Sequence, residues 1–171
     1  MGYIVPIYKK GDKNDSNNYR GITLLSNFGK LFTSILTHRV DKWSEDNNFL
    51  SDSQFGFRKG LSTVDAVFVL HNLIQSFSNN EMRLPCAFID LKKAFDSVYR
   101  NALWFKLFCM GFDGKILVMY GSMYAVVKSC VKHCNSLSDL FYISVGLRQG
   151  KNNSPALFAL FLEDLELFLQ N

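Results

Sequence analysis

One aspartate stands where a metal-assisted reaction would want it. Residues 84–91, Leu-Pro-Cys-Ala-Phe-Ile-Asp-Leu, form a near-continuous apolar run broken only by Asp90. Such a run reads as a central strand covered on both faces. A carboxylate at the end of that strand is held by the sheet and open at its tip. Mg²⁺ takes oxygen ligands in an octahedron, usually one or two carboxylates plus substrate phosphates. Phosphoryl-transfer centres often hold two such ions about 3.5–4 Å apart, which needs more than one carboxylate. Asp96 lies six residues on, beyond the strand, and need not share the site. Taken alone, the segment reads equally well as a strand ended by Asp90 and a turn capped by Asp96.

Two other segments carry groups suited to phosphate. Gly146-Leu147-Arg148-Gln149-Gly150 precedes Ser154-Pro155. Its glycines let backbone approach a ligand closely, and a helix start a few residues later favours anions. Gln54-Phe55-Gly56-Phe57-Arg58-Lys59-Gly60 sets adjacent cations beside two aromatics, a pairing that grips a triphosphate and stacks on a base. Alone, each has a simpler reading: a hairpin exit before a capped helix, and a solvated basic loop. Lys9, Lys10 and Arg20 carry a weaker signal of the same kind.

These residues need elements to hold them. Residues 3–8 read as an edge strand, because Pro6 cannot donate to a ladder. A polar loop follows over 9–18. Ser26 or Asn27 then caps a helix whose apolar face is Phe28, Leu31, Phe32, Ile35, Leu36, Val40 and Trp43. Ser62 and Asp65 form a capping-box pattern ahead of a second helix, with Ala66, Val67, Leu70, Leu73, Ile74 and Phe77 as its buried stripe. Residues 100–124 read as helical with a break near Gly111 and Gly114, and 126–134 with 140–145 as a strand pair. Ser154 and Pro155 read as N-cap and first residue of a last helix running to the end of the chain. The mixed order predicts an α+β fold with no linker between independent domains.

Composition narrows the class. With 171 residues and 48% hydrophobic content the chain can bury one good core. Net charge is +4; the first sixty residues hold nine Lys/Arg against six Asp/Glu, and the other 111 hold ten against nine. A basic excess at the front suits a phosphate-binding surface, and it suits ordinary surface charge as well. Cys86, Cys109, Cys130 and Cys134 form no zinc-ligand pattern and read as reduced thiols of an intracellular protein, in nucleus or cytoplasm. No secretory signal opens the chain. The apolar stretch 156–169 contains Glu163, Asp164 and Glu166, too many charges to span a membrane.

In this order the segments resemble the reverse transcriptase domain of non-LTR retrotransposons. "VPIYKKGD…NNYRGITLLS…GKLFTSIL" is similar to that family's first fingers block, and "SQFGFRKGLST" to the second. "CAFIDLKKAFDSV" resembles its motif A and "VGLRQGKNNSPALFALFLEDL" its motif B. The resemblance implies the fingers and part of the palm of a right-hand polymerase: 1–83 mainly fingers, 84–171 partial palm. It implies an RNA template, a DNA primer and deoxynucleoside triphosphates as partners, and Mg²⁺ as cofactor. Asp90 matches the metal-binding aspartate, with the Leu91 carbonyl as a further ligand. Phe95 matches the residue that excludes a ribose 2′-hydroxyl. Arg58, with Lys59, matches the fingers cations that meet the incoming nucleotide, and is expected to face the same cleft as Asp90 and Gln149. Gln149 and Gly150 match the residues lining the nucleotide sugar, and Lys9, Lys10, Arg20 and Arg148 are expected to touch nucleic acid.

The chain departs from the family pattern twice. Asn153 stands where the family has an apolar residue before Ser-Pro, and no Asp-Asp pair of the motif C kind occurs in the sequence. The expectation is a polymerase domain truncated before motif C and inactive by itself. The alternative is a non-catalytic nucleic-acid-binding remnant or domesticated module.

Overall fold

The computed structural model describes residues 2–112, 114–148, 150 and 153–169. Among them are one small mixed sheet and six α-helices, an α+β arrangement. β1 (Gly2–Tyr8) turns through a polar loop into β2 (Tyr19–Leu24), and the two pair antiparallel from Tyr3 opposite Leu24 to Tyr8 opposite Tyr19. Asp12 and Asp15 tighten the loop by accepting hydrogen bonds from Asn14 and Asn17 backbone N–H groups. β2 was not foreseen: Tyr-Arg-Gly-Ile-Thr-Leu mixes polar and apolar residues with a glycine inside.

β1 is not the edge strand that Pro6 suggested. Its first residues also pair in parallel with β3 (Lys128–His133), from Gly2 opposite Ser129 to Ile4 opposite Val131. That pairing stops two residues before Pro6, so the missing N–H falls where β1 has become an edge. β4 (Ser136–Leu137) and β5 (Phe141–Tyr142) add short antiparallel partners to β3. The foreseen pair 126–134 with 140–145 is therefore present in shortened form.

α1 (Asn27–Asp46) starts as expected, with Ser26 Oγ accepting from Gly29 N, and α2 (Thr63–Asn79) carries the Ser62/Asp65 capping box. The chain then runs through α3 (Arg100–Cys109), α4 (Gly114–Ala125), α5 (Ser154–Leu162) and α6 (Leu165–Leu169). α3, α4 and α5 enclose the core of Leu103, Leu107, Tyr120, Leu157 and Leu160, which the end of α1 joins through Leu36 and Val40. Trp43 packs there against Phe49 and Phe112 with tilted rings, each centroid 4.6 Å away.

Four further expectations fail. Residues 84–91 form no strand, and Phe88 is 84% exposed. An apolar run becomes a strand only when a neighbour completes its ladder, and no strand of the sheet reaches it. Asp90 accordingly sits on an open segment and not at a strand tip. The α2 stripe is not buried: Val67, Leu73 and Ile74 are exposed, because no described element packs on that face. The front of the α1 stripe, Phe28 to Ile35, is exposed too. The last helix is capped by Asn153, one residue early, and breaks at Glu163–Asp164 instead of continuing.

Candidate active site

The motif A segment ends in a turn that motif B holds in place. Leu147 N donates to Phe95 O at 2.7 Å and Gly146 N to Val98 O at 2.9 Å. The approach is close enough to demand glycine. Gly146 has φ +79, and a Cβ there would lie 2.5 Å from Asp96 O. Gly150 has φ +98 and lies as tightly on β2, where a Cβ would stand 2.6 Å from Thr23 O. Arg148 O accepts from Ser154 Oγ at 2.8 Å, which ties the far end of the loop to the start of α5.

Phe95 is half-buried between two rings. Phe158 of α5 lies 4.7 Å from it by centroid, and Phe57 of the basic loop meets it edge-on at 5.9 Å. Beyond it opens a cleft of about 710 Å³ whose lining includes Asp90, Leu91, Lys9, Arg20, Lys92 and Asp96. Lys93 closes one side through a 3.2 Å bond from Nζ to Asn17 Oδ1. The exposed Asp90 carboxylate thus shares a cleft with cations from β2, the 9–18 loop and the motif A turn. Such a cleft attracts a polyanion and leaves Asp90 able to hold a cation against it.

A protein-family model described as reverse transcriptase (RNA-dependent DNA polymerase) matches residues 7–171. This chain belongs to the reverse transcriptase family. A probable RNA-directed DNA polymerase from transposon BS of Drosophila melanogaster is 32% identical over 175 residues, covering 96% of this chain and 18% of that protein. The RNA-directed DNA polymerase from mobile element jockey of Drosophila funebris is 26% identical, covering 95% and 18%. The Pol polyprotein of the type-1 retrotransposable element R2 of Popillia japonica is 28% identical, covering 96% and 23%. The resemblance to non-LTR retrotransposon enzymes therefore holds over nearly the whole chain, which spans less than a quarter of these relatives' length.

Within this reverse transcriptase chain the foreseen residues do not all come together. Asp90, Leu91, Phe95, Lys9 and Arg20 share the cleft. Arg58 and Lys59 line a separate hollow of about 200 Å³ with His38, Asp41 and Glu45. There Arg58 makes a forked pair with Glu45, Nε–Oε1 3.2 Å and Nη2–Oε2 3.3 Å, and donates from Nη1 to Ser51 O at 3.0 Å. That hydrogen-bonded carboxylate pushes the guanidinium's pKa up. The loop reaches Phe95 through Phe57, a left-handed residue at φ 61, and not through Arg58. Lys10 is exposed outside the cleft lining. Arg148 is half-buried, and desolvation pushes its pKa down. Gln149 lies outside the described residues.

Three contacts escaped sequence reasoning. Ser51 N donates to Glu163 Oε1 at 2.8 Å, which joins the basic loop to the end of α5. Lys106 reaches from α3 to Phe161 O and Asp164 Oδ1, at 3.0 and 2.7 Å. Arg100 is 5% exposed and bonds four backbone carbonyls. Only the last had a signal: Arg100, Leu103 and Leu107 keep the spacing of one buried stripe, where an arginine is out of place.

Proposed function

We propose that this chain supplies part of an RNA-directed DNA polymerase, the fingers and the first half of the palm, acting by two-metal nucleotidyl transfer. The observation that carries the reading is the lacing of motif A to motif B, Leu147 N to Phe95 O, beside a cation-lined cleft that contains Asp90. Phosphoryl transfer asks a protein for positioning and charge neutralisation rather than covalent chemistry. In this reading Lys9, Arg20 and Lys92 draw the triphosphate and template backbone into the cleft. Phe95 presents an apolar wall to the sugar, and the family resemblance assigns Gln149 and Gly150 to the same sugar. Arg58 and Lys59 meet the phosphates once Arg58 leaves Glu45.

The residues present fit part of a magnesium site. Asp90 offers an exposed carboxylate and Leu91 a neighbouring carbonyl, and substrate phosphates commonly complete such a shell. Magnesium, when bound, supplies charge stabilisation at the attacking and leaving oxygens. Among the described residues no three His, Cys, Asp or Glu side chains come together as a ligand set. In this reading residues 1–171 by themselves are expected not to extend a primer, because two ions call for more than one carboxylate.

The same observation favours a second reading, a nucleic-acid-binding remnant or domesticated module that keeps the basic cleft without the chemistry. Primer extension by purified 1–171, with Mg²⁺, an RNA template and four deoxynucleotides, tests these points. No extension, with binding to template-primer that weakens steeply with salt, is the expected result. Extension abolished by Asp90→Ala would overturn the claim of inactivity. Extension by a polymerase carrying 1–171 that survives Asp90→Ala would overturn the role of Asp90. The absence of extension by that polymerase before any substitution would leave the binding module as the better reading.

A further inference from the structure

Among the described residues Arg100 makes no ion pair, although it is 5% exposed. Buried arginines are ordinarily matched by a carboxylate. Here the guanidinium is spent on main chain. Nε donates to Gly146 O at 2.7 Å, Nη2 to Val145 O at 2.8 Å, and Nη1 to Ile143 O at 2.8 Å and Tyr124 O at 3.3 Å. The Tyr124 ring covers the cation, 5.1 Å from Cζ to centroid. Burial, and to a lesser degree the like charge of Arg148, pull the pKa of this arginine down. So costly a group is explained by what it shapes. A planar fork fixes several carbonyls in one geometry, as a lysine's single ammonium cannot.

The shaped backbone leads directly to Phe95. Gly146, whose carbonyl takes the Nε bond, donates its own N–H to Val98 O, and the next residue, Leu147, donates to Phe95 O. We infer that Arg100 is a positioning residue for sugar selection, acting through Gly146 and Leu147 to hold Phe95 against the nucleotide's 2′ position. The inference rests on the reading of Phe95 as the sugar wall. The ring already has Phe57 and Phe158 on its sides. Its carbonyl accepts from Leu147 N–H, and the 146–147 segment is the one Arg100 clamps.

The test is Arg100→Lys in a polymerase carrying residues 1–171, read as the ratio of kcat/KM for a deoxynucleotide to that for the matching ribonucleotide. Misfolded molecules use neither substrate, so the ratio does not respond to a purely structural loss. It is expected to fall about 3–10-fold, less than the roughly 10–200-fold that full loss of the wall in Phe95→Ala would give. A ratio unchanged in Arg100→Lys but reduced in Phe95→Ala overturns the role of Arg100 alone. A ratio unchanged in both removes the sugar-wall reading and this inference with it. Hydrogen exchange on the 1–171 chain gives a second measurement. The Leu147 amide should exchange about tenfold faster in Arg100→Lys while amides inside α4 keep their rates, a local opening of about 1.4 kcal/mol. Equal acceleration throughout would mark a global loss of stability and overturn the assignment.

Discussion

Replacing Asn153 by leucine should stabilise this chain. Asn153 is fully buried at the cap of α5, but its side chain makes no capping bond. Among the described residues neither end of its amide has a hydrogen-bond partner, and the buried Tyr120 hydroxyl has none either. Burial pushes the Tyr120 phenol's pKa up, and the nearby Asn153 side chain offsets part of that push, yet no bond of ordinary geometry joins the two. An unpaired buried amide costs about 1–3 kcal/mol. Leucine puts a methyl where each amide atom stood, in a fully buried site beside Tyr120. Crowding by the larger methyls takes back up to about 1 kcal/mol. The net gain is about 1–2 kcal/mol, which for a chain of this size raises Tm by about 2–8 °C. Thermal unfolding followed by circular dichroism measures it. Combining Asn153→Leu with Tyr120→Phe should give additive effects. A fall in Tm, or a coupling above about 0.5 kcal/mol in the double-mutant cycle, would show that amide and phenol satisfy each other and would refute the reasoning.

Gly146→Ala forces a methyl toward Asp96 O at a left-handed backbone, so stability in urea should drop by about 1–3 kcal/mol or more. Removing charge at Lys92 and Lys93 together should flatten the log–log salt dependence of single-strand binding by about 0.7 for each phosphate no longer neutralised, read by fluorescence anisotropy. Lys106→Met should cost about 1 kcal/mol after discounting for the exposed carboxylate, since Lys106 also holds Phe161 O. The Lys106 bond keeps the Asp164 carboxyl below its ordinary 3.8. Its support is therefore complete above that value and disappears only as pH falls through the lower folded value. A Lys106→Met deficit that already shrinks between pH 7 and 5 would contradict this assignment.

Local signals carried well from sequence to structure. Ser26, Ser62 with Asp65, and the breaks at Gly111 and Gly114 all act through neighbours within a few residues, and each stands where it was expected. Signals that depend on distant chain did not carry. The apolar run 84–91 and the stripe of α2 record what a partner would cover but not whether a described element covers it. β2 was missed because its register comes from β1, across a hairpin that no alternation in Tyr19–Leu24 announces. At the site, residue type and order pointed to Asp90 and Phe95 together, and the cleft contains both. No local pattern could show that Glu45 takes Arg58, because that pair depends on how the loop packs on α1.

The parallel pairing of Gly2–Ile4 with Ser129–Val131 carries a cost in time. On a ribosome making about 5–20 residues per second, β1 and β2 emerge well before β3, and the wait is about 6–25 s. During it, β1 offers an unpaired row of N–H and C=O groups to any other nascent chain nearby. The charged turn around Lys9, Lys10, Asp12 and Lys13 closes that hairpin and discourages such pairing. Neighbours on one messenger would compete for the same edge. Yield of this protein should accordingly depend on translation speed and on how densely ribosomes load its message.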